Sequence, residues 1–539
     1  MSERHRAPAR ASLGRASAVM AVGTAASRLS GFARTVIVVA AIGASGRLAD
    51  AYNDANTLPN VVYDLLLGGV LSAVVVPVLV RARVEDEDEG TGFAQSLLAV
   101  TTLSLIVVCA VAELIAPALV HLYVPHGADP AVRAQAVTFA RWFLPQLVFY
   151  GLTAVIGAVL NSRGRFGAPT FVPVLNNVVV IATALIYLAM PPPGKGSSPL
   201  GLTHGQTLVL AGGTTAGVVV MGLALLPALR QAGVPWRWRT DLSHPGLAGA
   251  RRIAGWVLVY VALSQVGFLV VSRLANEVHA FSPYSNAYQL FQLPYAVVGV
   301  SVVTALLPAM STHATTGRLD LLRADLSHGL RLAGTIVVPA SLTLAVLAVP
   351  VAGATLGLGR SSPANAHQAA NVLAVLSLGL VPFTIQQLLL RAFYAQQDTR
   401  TPALLALLVT AVLVVFDLSI AAADHTHTRV VGLAAGFAVA YSVGAVATAR
   451  LLLTRLSGHG RRVLRLYVRV TLAAAIAAGA GWTGAKAVTE MTTHGGAARS
   501  LLSLAVGGAV AVVFYLGLAR RMRVRELEPL LASLRRSGQ

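Results

Sequence analysis

Cysteine is almost absent from this 539-residue sequence: Cys109 is the only one, so an intrachain disulfide is excluded. Charged residues are scarce as well, at 12% of the chain, against about a quarter in soluble globular proteins. Hydrophobic residues account for 56%, and the mean hydropathy is +0.71. These values exclude an ordinary soluble domain and indicate an integral membrane protein.

Several kinds of chemical site are missing too. No glycine-rich loop followed by Lys and Ser or Thr occurs, so ATP hydrolysis is not expected. All thirteen histidines lie outside the apolar centres of the predicted spans, which argues against a histidine metal site or proton relay. Cys109 has no histidine nearby, and we interpret it as a small core residue rather than a catalytic thiol. We expect no enzymatic chemistry, no metal and no cofactor.

Apolar windows long enough to cross a membrane recur along the whole chain. A spanning helix needs about 20 apolar residues, and fourteen such windows can be placed. They lie near 18–43, 58–80, 93–120, 136–160, 169–190, 207–229, 253–277, 284–309, 333–357, 370–394, 402–423, 430–449, 467–489 and 499–519. The sequence therefore predicts an all-α polytopic membrane protein with about 14 transmembrane helices.

The formal charge of +20 comes from 41 Lys and Arg against 21 Asp and Glu. With a cytoplasmic N-terminus, the segments predicted to be inside hold 29 of the basic residues, and the outside loops hold 7. Because cytoplasmic loops are enriched in Lys and Arg, this bias supports fourteen spans with both termini in the cytoplasm. Topology thus explains the charge, and nucleic-acid binding is not expected.

Weak internal similarity divides the spans into two halves. Pro169 and Pro402 each close a short basic turn after a proline-containing helix, and they lie 233 residues apart. Six spans per half give two parallel lobes, as in many transporters. The predicted domains are a cytoplasmic tail at 1–17, an N-lobe at 18–229, a cytoplasmic linker at 230–252, a C-lobe at 253–449, two further helices at 450–519, and a cytoplasmic tail at 520–539.

A few ionisable residues lie within the predicted spans, where each costs at least about 2.5–3.5 kcal/mol to insert. Arg28 and Arg34 lie on the first span, about 120° apart on a straight helix, so a bend at Gly31 could direct both into one cavity. Alternatively, Arg34 pairs with a carboxylate and Arg28 extends to the membrane surface. Asp50 and Asp64 bracket the start of the second span, and Asp64 is expected to face one of the arginines.

Two sites in the second half are open to a functional and a structural interpretation. Arg273 and Glu277 are four residues apart near the end of the seventh span, a spacing that also makes an ordinary intrahelical ion pair. Asp417 is the only charged residue within 411–421. It suggests a cation or proton site, and the alternative is a buried structural carboxyl group that stays neutral.

Six short motifs occupy a long stretch of the chain in a fixed order. They are Ser27-Arg-Leu-Ser-Gly-Phe-Ala-Arg34, Ala49-Asp-Ala-Tyr52, Leu58-Pro-Asn60 running to Pro77, Leu160-Asn-Ser-Arg-Gly-Arg-Phe-Gly-Ala-Pro169, Gln292-Leu-Pro294 running to Ala305-Leu-Leu-Pro308, and Phe393-Tyr-Ala-Gln-Gln-Asp-Thr-Arg-Thr-Pro402. In sequence and in place, they resemble the MurJ/MviN family of lipid II flippases, within the MOP exporter superfamily.

The resemblance implies a protein of the bacterial inner membrane with fourteen helices in two lobes. Such a protein moves lipid II, the undecaprenyl-pyrophosphate-linked disaccharide-pentapeptide precursor of peptidoglycan, from the cytoplasmic to the outer leaflet by alternating access. Arg28 and Arg34 match the family's cavity arginines, and Asp50 matches its acidic residue before helix 2. Guanidinium groups suit a pyrophosphate, because they bind phosphate oxygens bidentately and stay charged in a dry cavity. Lipid II and membrane lipids are the expected partners, and cell-wall synthesis machinery is a further candidate.

The chain departs from the family pattern in its second and eighth spans. Tyr63-Asp64 stands where several members carry an arginine, and Gln289 stands where they carry one on helix 8. We hypothesise that Arg273 supplies a substitute contact. Asp417 falls where some members have an acidic sodium ligand, but Leu413 replaces the expected asparagine. Coupling to sodium, to protons or to the membrane potential therefore stays open.

Two other classes of function compete with lipid flipping. One is a multidrug or metabolite antiporter of the same superfamily, and the other is a non-transporting scaffold for cell-wall machinery. A cavity for cations needs acidic and aromatic residues, whereas the first span offers Arg28 and Arg34. A scaffold would move no lipid, so a flux measurement separates it from a flippase.

Overall fold

The computed structural model describes residues 6–65, 78–79, 82–83, 86–125, 129–194, 196–239, 246–360, 363–426, 428–455, 461–492, 496–524 and 526–527. Side chains are described for all of these except 6–21, 62–65, 246–254, 297–301, 303–305, 307–308 and 363–365. The regular secondary structure of the described residues is helical, without a β-strand. The predicted all-α polytopic class is confirmed.

The chain divides into two compact units, and the first comprises Met1–Ile42 and Arg47–Gln265. Its helices are α1 (Arg6–Ile42), α2 (Arg47–Leu65), α3 (Thr91–Leu114), α4 (Ala116–Tyr123), α5 (Pro130–Phe143), α6 (Gln146–Ser162), α7 (Gly167–Ala189), α8 (His204–Thr207), α9 (Gly213–Leu223), α10 (Leu226–Gln231) and the first part of α11 (Gly246–Asn276). A π-helical segment, Leu208–Gly212, joins α8 to α9.

The second unit comprises Gly43–Gly46 and Val266–Gln539. After the end of α11 it contains α12 (Phe281–Thr315), α13 (Leu319–Val346), α14 (Ala348–Thr355), α15 (Pro363–Leu378), α16 (Leu380–Ala395), α17 (Arg400–Ala423), α18 (Arg429–Arg455), α19 (Arg461–Met491) and α20 (Ala497–Arg521).

In the first unit, α1 is fixed along α7 through small and polar residues. The Asn177 amide of α7 donates hydrogen bonds to the Ser27 carbonyl oxygen, at 3.2 Å, and to the Ser30 hydroxyl, at 2.9 Å. A Cβ at Gly23 would lie 2.6 Å from Cγ2 of Thr170, so glycine allows the close approach. Positions 23, 27 and 30 share one helix face. This contact sets the rotation of α1, and hence the directions of its arginines.

In the second unit, α19 and α20 pack closely against each other and against α13. A Cβ at Gly481 would lie 2.6 Å from the Gly507 carbonyl oxygen, and a Cβ at Gly507 would lie 2.8 Å from the Gly481 carbonyl oxygen. Small residues of this kind let membrane helices approach. Tyr467 and Tyr515 donate hydrogen bonds of 3.0 and 2.6 Å to backbone carbonyl groups of α13, which ties both C-terminal helices to the unit.

Eleven helices of the described part are long and apolar enough to cross a membrane, and the pair Ala366–Leu378 and Leu380–Ala395, bent by 45°, makes a twelfth if it is one span. The predicted spans near 58–80 and 284–309 are not among them. Residues 66–77 lie outside the described part, and several side chains of α12, which covers 284–309, are not described. The number fourteen and the cytoplasmic termini therefore stay predictions.

Candidate functional site

The two arginines of α1 differ in exposure. Arg28 is exposed, and Arg34 is half-buried. The helix is continuous through both positions, and on a straight helix their six-residue separation corresponds to about 120°. Among the described residues, neither guanidinium forms a hydrogen bond or an ion pair. The alternative interpretation paired Arg34 with a neighbouring carboxylate, but none of the described carboxylates pairs with it.

Arg34 lies near a buried pair of hydroxyl groups. Its charge acts on the Tyr52 hydroxyl of α2, whose oxygen is 2.9 Å from Oγ1 of Thr214. Since Thr214 donates its own proton to the Leu210 carbonyl oxygen, Tyr52 donates to Thr214. Leu210 belongs to the π-helical segment, a distortion that is frequent at functional sites. The sequence motif contained Tyr52, but its spacing did not indicate this contact.

The acidic residues of α2 occupy different environments. Asp50 is buried in the first turn, where the helix dipole favours a negative charge. Asp64 lies one residue before the end of α2, and its side chain is outside the described residues, so its contact with an arginine stays a prediction. Of the predicted site residues, the first unit therefore holds Arg28, Arg34, Asp50 and Asp64, and the second holds Arg273, Gln289 and Asp417.

Arg273 and Gln289 are both exposed in the second unit, on α11 and α12 respectively. Glu277, one turn after Arg273, forms an interhelical ion pair: its Oε2 is 2.7 Å from Nη1 of Arg429 at the start of α18. Glu277 therefore ties α11 to α18.

Arg429 is 3% exposed and is surrounded by acceptors. Besides Glu277, its guanidinium donates to the carbonyl oxygens of Asp424, at 2.6 Å, and Ala421, at 3.2 Å. Its Nη2 is 2.9 Å from Nδ1 of His425, which must accept because arginine only donates. In the sequence, Arg429 was only one of the seven basic residues assigned to outside loops. Its position directly before an apolar helix was the one feature that could have indicated a buried arginine.

Asp417 is a fully buried carboxyl group of α17, with 0% exposure. Neither of its oxygens has a hydrogen-bond partner in the described part of the chain. It packs against Gly436 of α18, where an added Cβ would collide with Oδ1 of Asp417 and lie 3.0 Å from Cδ1 of Phe416. No group of three or more His, Cys, Asp or Glu side chains that could hold a metal occurs among the described residues. A lone carboxyl group in such surroundings can take up or release a proton.

Seven aromatic side chains of the second unit pack into one cluster, with neighbouring ring centroids 4.4 to 6.3 Å apart. They are Tyr284, Tyr288, Phe291 and Tyr295 of α12, Phe383 of α16, and Phe437 and Tyr441 of α18. The α12 members lie three or four residues apart, on one helix face. That spacing could have indicated the cluster from the sequence.

The motif ending at Pro402 forms a clamp at the start of α17. Asp398 accepts hydrogen bonds from the backbone nitrogen and hydroxyl of Thr401, at 2.9 and 2.6 Å, and pairs with Arg455 of α18 at 2.8 Å. Burial acts to raise the pKa of Asp398, but the Thr401 hydrogen bonds and the Arg455 charge outweigh it and lower the pKa. This motif therefore stabilises a helix junction.

The motif ending at Pro169 holds its own junction in the first unit. Arg163, directly after α6, donates hydrogen bonds to the carbonyl oxygens of Ala232, at 2.9 Å, and Glu89, at 3.2 Å, and to the Thr91 hydroxyl, at 3.0 Å. Burial and the neighbouring charge of Arg83 lower the pKa of Arg163. Both halves of the sequence repeat thus fold into arginine-held loops.

Comparison with known sequences identifies the family. A family model described as lipid II flippase MurJ matches residues 38–507. The probable lipid II flippase MurJ of Rhizobium meliloti (strain 1021) is 29% identical over 469 residues, which cover 85% of this chain and 84% of that protein. Lipid II flippase MurJ of Burkholderia cenocepacia is 28% identical over 491 residues, covering 86% and 90%.

Comparison with solved structures identifies the same fold. Lipid II flippase MurJ in an inward closed conformation superimposes with a TM-score of 0.73 at 17% identity, over 93% of this chain and 99% of that one. An inward-facing multidrug resistance MATE family transporter of the MOP superfamily gives 0.65 at 15% identity, over 80% and 94%. At these identities the structures show a shared fold alone, whereas the family model spans most of the sequence. The chain belongs to the MurJ family of lipid II flippases and is a multi-pass protein of the bacterial inner membrane.

Proposed function

We propose that this chain moves lipid II from the cytoplasmic to the outer leaflet by alternating access, with the pyrophosphate held by Arg28 and Arg34. One observation carries the proposal beyond family membership. Two guanidinium groups lie on a membrane-spanning part of α1, and neither is paired with any described residue. A cation at membrane depth needs water or an anion beside it, and a pyrophosphate can occupy the bidentate donors of both.

The two arginines have different roles in this proposal. Arg34 is the fixed contact, because α1 is fastened to α7 by Asn177 and Arg34 itself is half-buried near Tyr52. Arg28 is exposed and can first meet an anionic headgroup. Asp50 and Asp64 would adjust the orientation of the arginines, while Arg273 and Gln289 on the second unit supply further polar contacts to the substrate.

Asp417 is proposed as the coupling residue, and a proton fits its surroundings better than sodium. A hard cation takes several oxygen ligands, whereas the described neighbours of this carboxyl group include Gly436 and Phe416, and its oxygens have no hydrogen-bond partner among the described residues. An unpaired buried carboxylate is costly, and protonation removes that cost. Loss and uptake of the proton would thus favour different packings of α17 against α18.

The first experiment measures lipid II at the outer leaflet in cells depleted of their own flippase and complemented with this chain. Wild type is expected to restore outer-leaflet lipid II, and Arg34→Ala is expected to abolish it. Arg34→Lys keeps the charge but loses the bidentate fork, so it retains part of the activity. Arg450→Ala, which removes an exposed arginine of α18, is the matched control and is expected to flip normally.

The same assay separates the competing functions. Failure of a stably inserted wild-type protein to restore outer-leaflet lipid II would contradict the proposal. Drug efflux in the same cells would then favour an antiporter, and no flux of any kind would favour a scaffold. Alternating access is tested in a Cys109→Ser background with Gln289→Cys: labelling by impermeant thiol reagents should switch sides when lipid II is added.

Coupling is tested with purified protein in vesicles carrying a proton gradient, a sodium gradient or a membrane potential. Wild-type transport is expected to respond to the proton gradient, and Asp417→Asn is expected to remove that response. A response to sodium that Asp417→Asn abolishes would replace the proton in the proposal. A response to membrane potential alone, unchanged in Asp417→Asn, would remove Asp417 from coupling.

A further inference from the structure

A short segment after α10 in the first unit carries two of the five tryptophans of the chain. Residues 234–239 read Val-Pro-Trp-Arg-Trp-Arg and form neither helix nor strand. Proline fixes its own backbone angle and favours an extended residue before it, so Pro235 prevents α10 from continuing. We call residues 234–239 the tryptophan strap.

One side of the tryptophan strap is packed against the protein. Val234 is fully buried, and the half-buried Trp236 ring packs against a hydrophobic cluster of the first unit. At the far end of the strap, a Cβ added to Gly92 would lie 2.5 Å from Nη1 of Arg239 and 2.8 Å from Oδ2 of Asp88, so these two charged groups are neighbours. The strap is therefore held against the first unit near both of its ends.

The other side of the tryptophan strap presents an exposed ring and a charge. Trp238 is 64% exposed, and Arg237 beside it is exposed as well. The Trp238 ring is still supported, because it meets the Trp236 ring edge to face, with ring centroids 5.6 Å apart. The strap thus holds an indole and a guanidinium outward together.

The tryptophan strap lies where three apolar spans of the first unit end. It comes directly after the span His204–Gln231, which α10 completes. Arg163, one residue beyond the span that α6 completes, donates a hydrogen bond of 2.9 Å to the carbonyl oxygen of Ala232. Gln95, in the second turn of the span formed by α3, donates one of 2.9 Å to the carbonyl oxygen of Pro235. Because the ends of spans mark the boundary between hydrocarbon and headgroups, the strap lies at that boundary.

The headgroup region offers partners to both exposed side chains. An indole has a large apolar body and one N–H donor, and tryptophan is enriched at membrane–water interfaces. A guanidinium binds phosphate oxygens, and basic residues near a membrane surface are attracted to anionic lipids. We propose that the tryptophan strap is an interfacial anchor, which places Trp238 among the lipid headgroups and Arg237 on their phosphate groups. This inference concerns the membrane surface and does not depend on the transported substrate.

The test measures the depth of Trp238 in full-length protein, reconstituted in lipid nanodiscs of phosphatidylcholine and phosphatidylglycerol. Trp142→Phe, Trp256→Phe and Trp482→Phe leave only the two tryptophans of the strap. The same chain with Trp238→Phe added is measured in parallel, and the difference between the two is the fluorescence of Trp238. Quenchers are iodide in the water and nitroxide-labelled lipids in the bilayer.

Nitroxides on the headgroup or near the ester groups are expected to quench Trp238 strongly, and a nitroxide at the end of the acyl chain should quench it weakly. Iodide should quench Trp238 less than it quenches a free tryptophan derivative. Arg237→Gln should increase the fraction of Trp238 open to iodide by up to about fivefold in these anionic nanodiscs. High salt should act in the same direction, because it screens the attraction between Arg237 and the lipids.

Trypsin gives a second readout that does not use fluorescence, because it cleaves after Arg237. In nanodiscs, Trp238→Ala should speed this cleavage, whereas Trp238→Tyr keeps an amphipathic ring and should stay protected. Arg450→Gln removes an exposed arginine of α18 and is the matched control for Arg237→Gln; it should leave the iodide access of Trp238 unchanged. Thermal unfolding of each variant checks that the protein is intact.

Three outcomes would overturn the proposal. Quenching of Trp238 by iodide as complete as that of free tryptophan would make the strap a solvated loop. Protection from both iodide and the lipid nitroxides would mean that protein, from this chain or a second copy, covers the ring. Strongest quenching by the nitroxide at the chain end would place Trp238 in the hydrocarbon rather than at the interface.

Discussion

Replacing Gly436 by alanine tests the position of the buried Asp417 carboxyl group. The new methyl group would collide with Oδ1 of Asp417 and would lie 3.0 Å from Cδ1 of Phe416. Overpacking of this kind costs about 1–3 kcal/mol. In an Asp417→Ala background the carboxyl group is gone and only the Phe416 contact remains, so the cost should fall below about 1 kcal/mol. The expected coupling between the two positions is about 1–2 kcal/mol.

The assay is a double-mutant cycle on purified protein, with the free energy of unfolding taken from SDS titration. Gly432→Ala is the matched control: its Cβ would lie 2.6 Å from Cγ2 of Ile420, at the same helix interface but against a hydrocarbon side chain. Gly432→Ala should lower the free energy of unfolding by the same amount with or without the Asp417 carboxyl group. Proton-driven transport should fall in Gly436→Ala, because the carboxyl group is displaced. An equal cost for Gly436→Ala in both backgrounds would refute the reasoning.

Two substitutions test the ion pair between Glu277 and Arg429. Glu277→Gln keeps an acceptor but removes the counter-charge of the buried Arg429 guanidinium, and should destabilise the protein by up to about 3 kcal/mol. Arg429→Ala leaves the carbonyl groups of Asp424 and Ala421 without their donor and should also cost about 1–3 kcal/mol. The same SDS titration measures both. The lowered pKa of Asp398 means that its contribution to stability is complete above its ordinary pKa of 3.8 and is lost as the pH falls through the lowered value. Thermal unfolding between pH 6 and pH 2, run in about unit steps, should show a smaller acid dependence in Asp398→Asn. Gly481→Ala should lower the melting temperature, because its Cβ meets a backbone carbonyl group, whereas Gly479→Ala points into open space and should not.

Interhelical contacts explain which features the sequence could and could not predict. Apolar runs of about 20 residues are a local property, so the membrane class followed directly from them. The Arg273 and Glu277 spacing suggested a local ion pair, but the partner seen for Glu277 is Arg429, which is 152 positions away in sequence. The aromatic cluster likewise joins α12, α16 and α18. Such pairings depend on helix packing, which hydropathy does not encode.

In the candidate site, too, local sequence features could be predicted and contacts between helices could not. A charge within an apolar run is visible in a sequence, and Arg28, Arg34 and Asp417 were identified in that way. Tyr52 was not identified, because an aromatic residue near the start of a helix is common. Only the structure shows that its hydroxyl oxygen lies 2.9 Å from Oγ1 of Thr214. The two arginines differ in exposure, as residues about 120° apart on a straight helix can.

The motifs that best identify the family are not those that carry the proposed function. Asp398 and Arg163 lie in the two most recognisable sequence blocks, and both hold loops between helices. Residues with that role stabilise the fold, and a fold supports many functions. This explains how a MATE transporter can share the architecture at a TM-score of 0.65 with 15% identity. The proposed phosphate binding therefore depends on Arg28 and Arg34, which form no ion pair with any of the described residues.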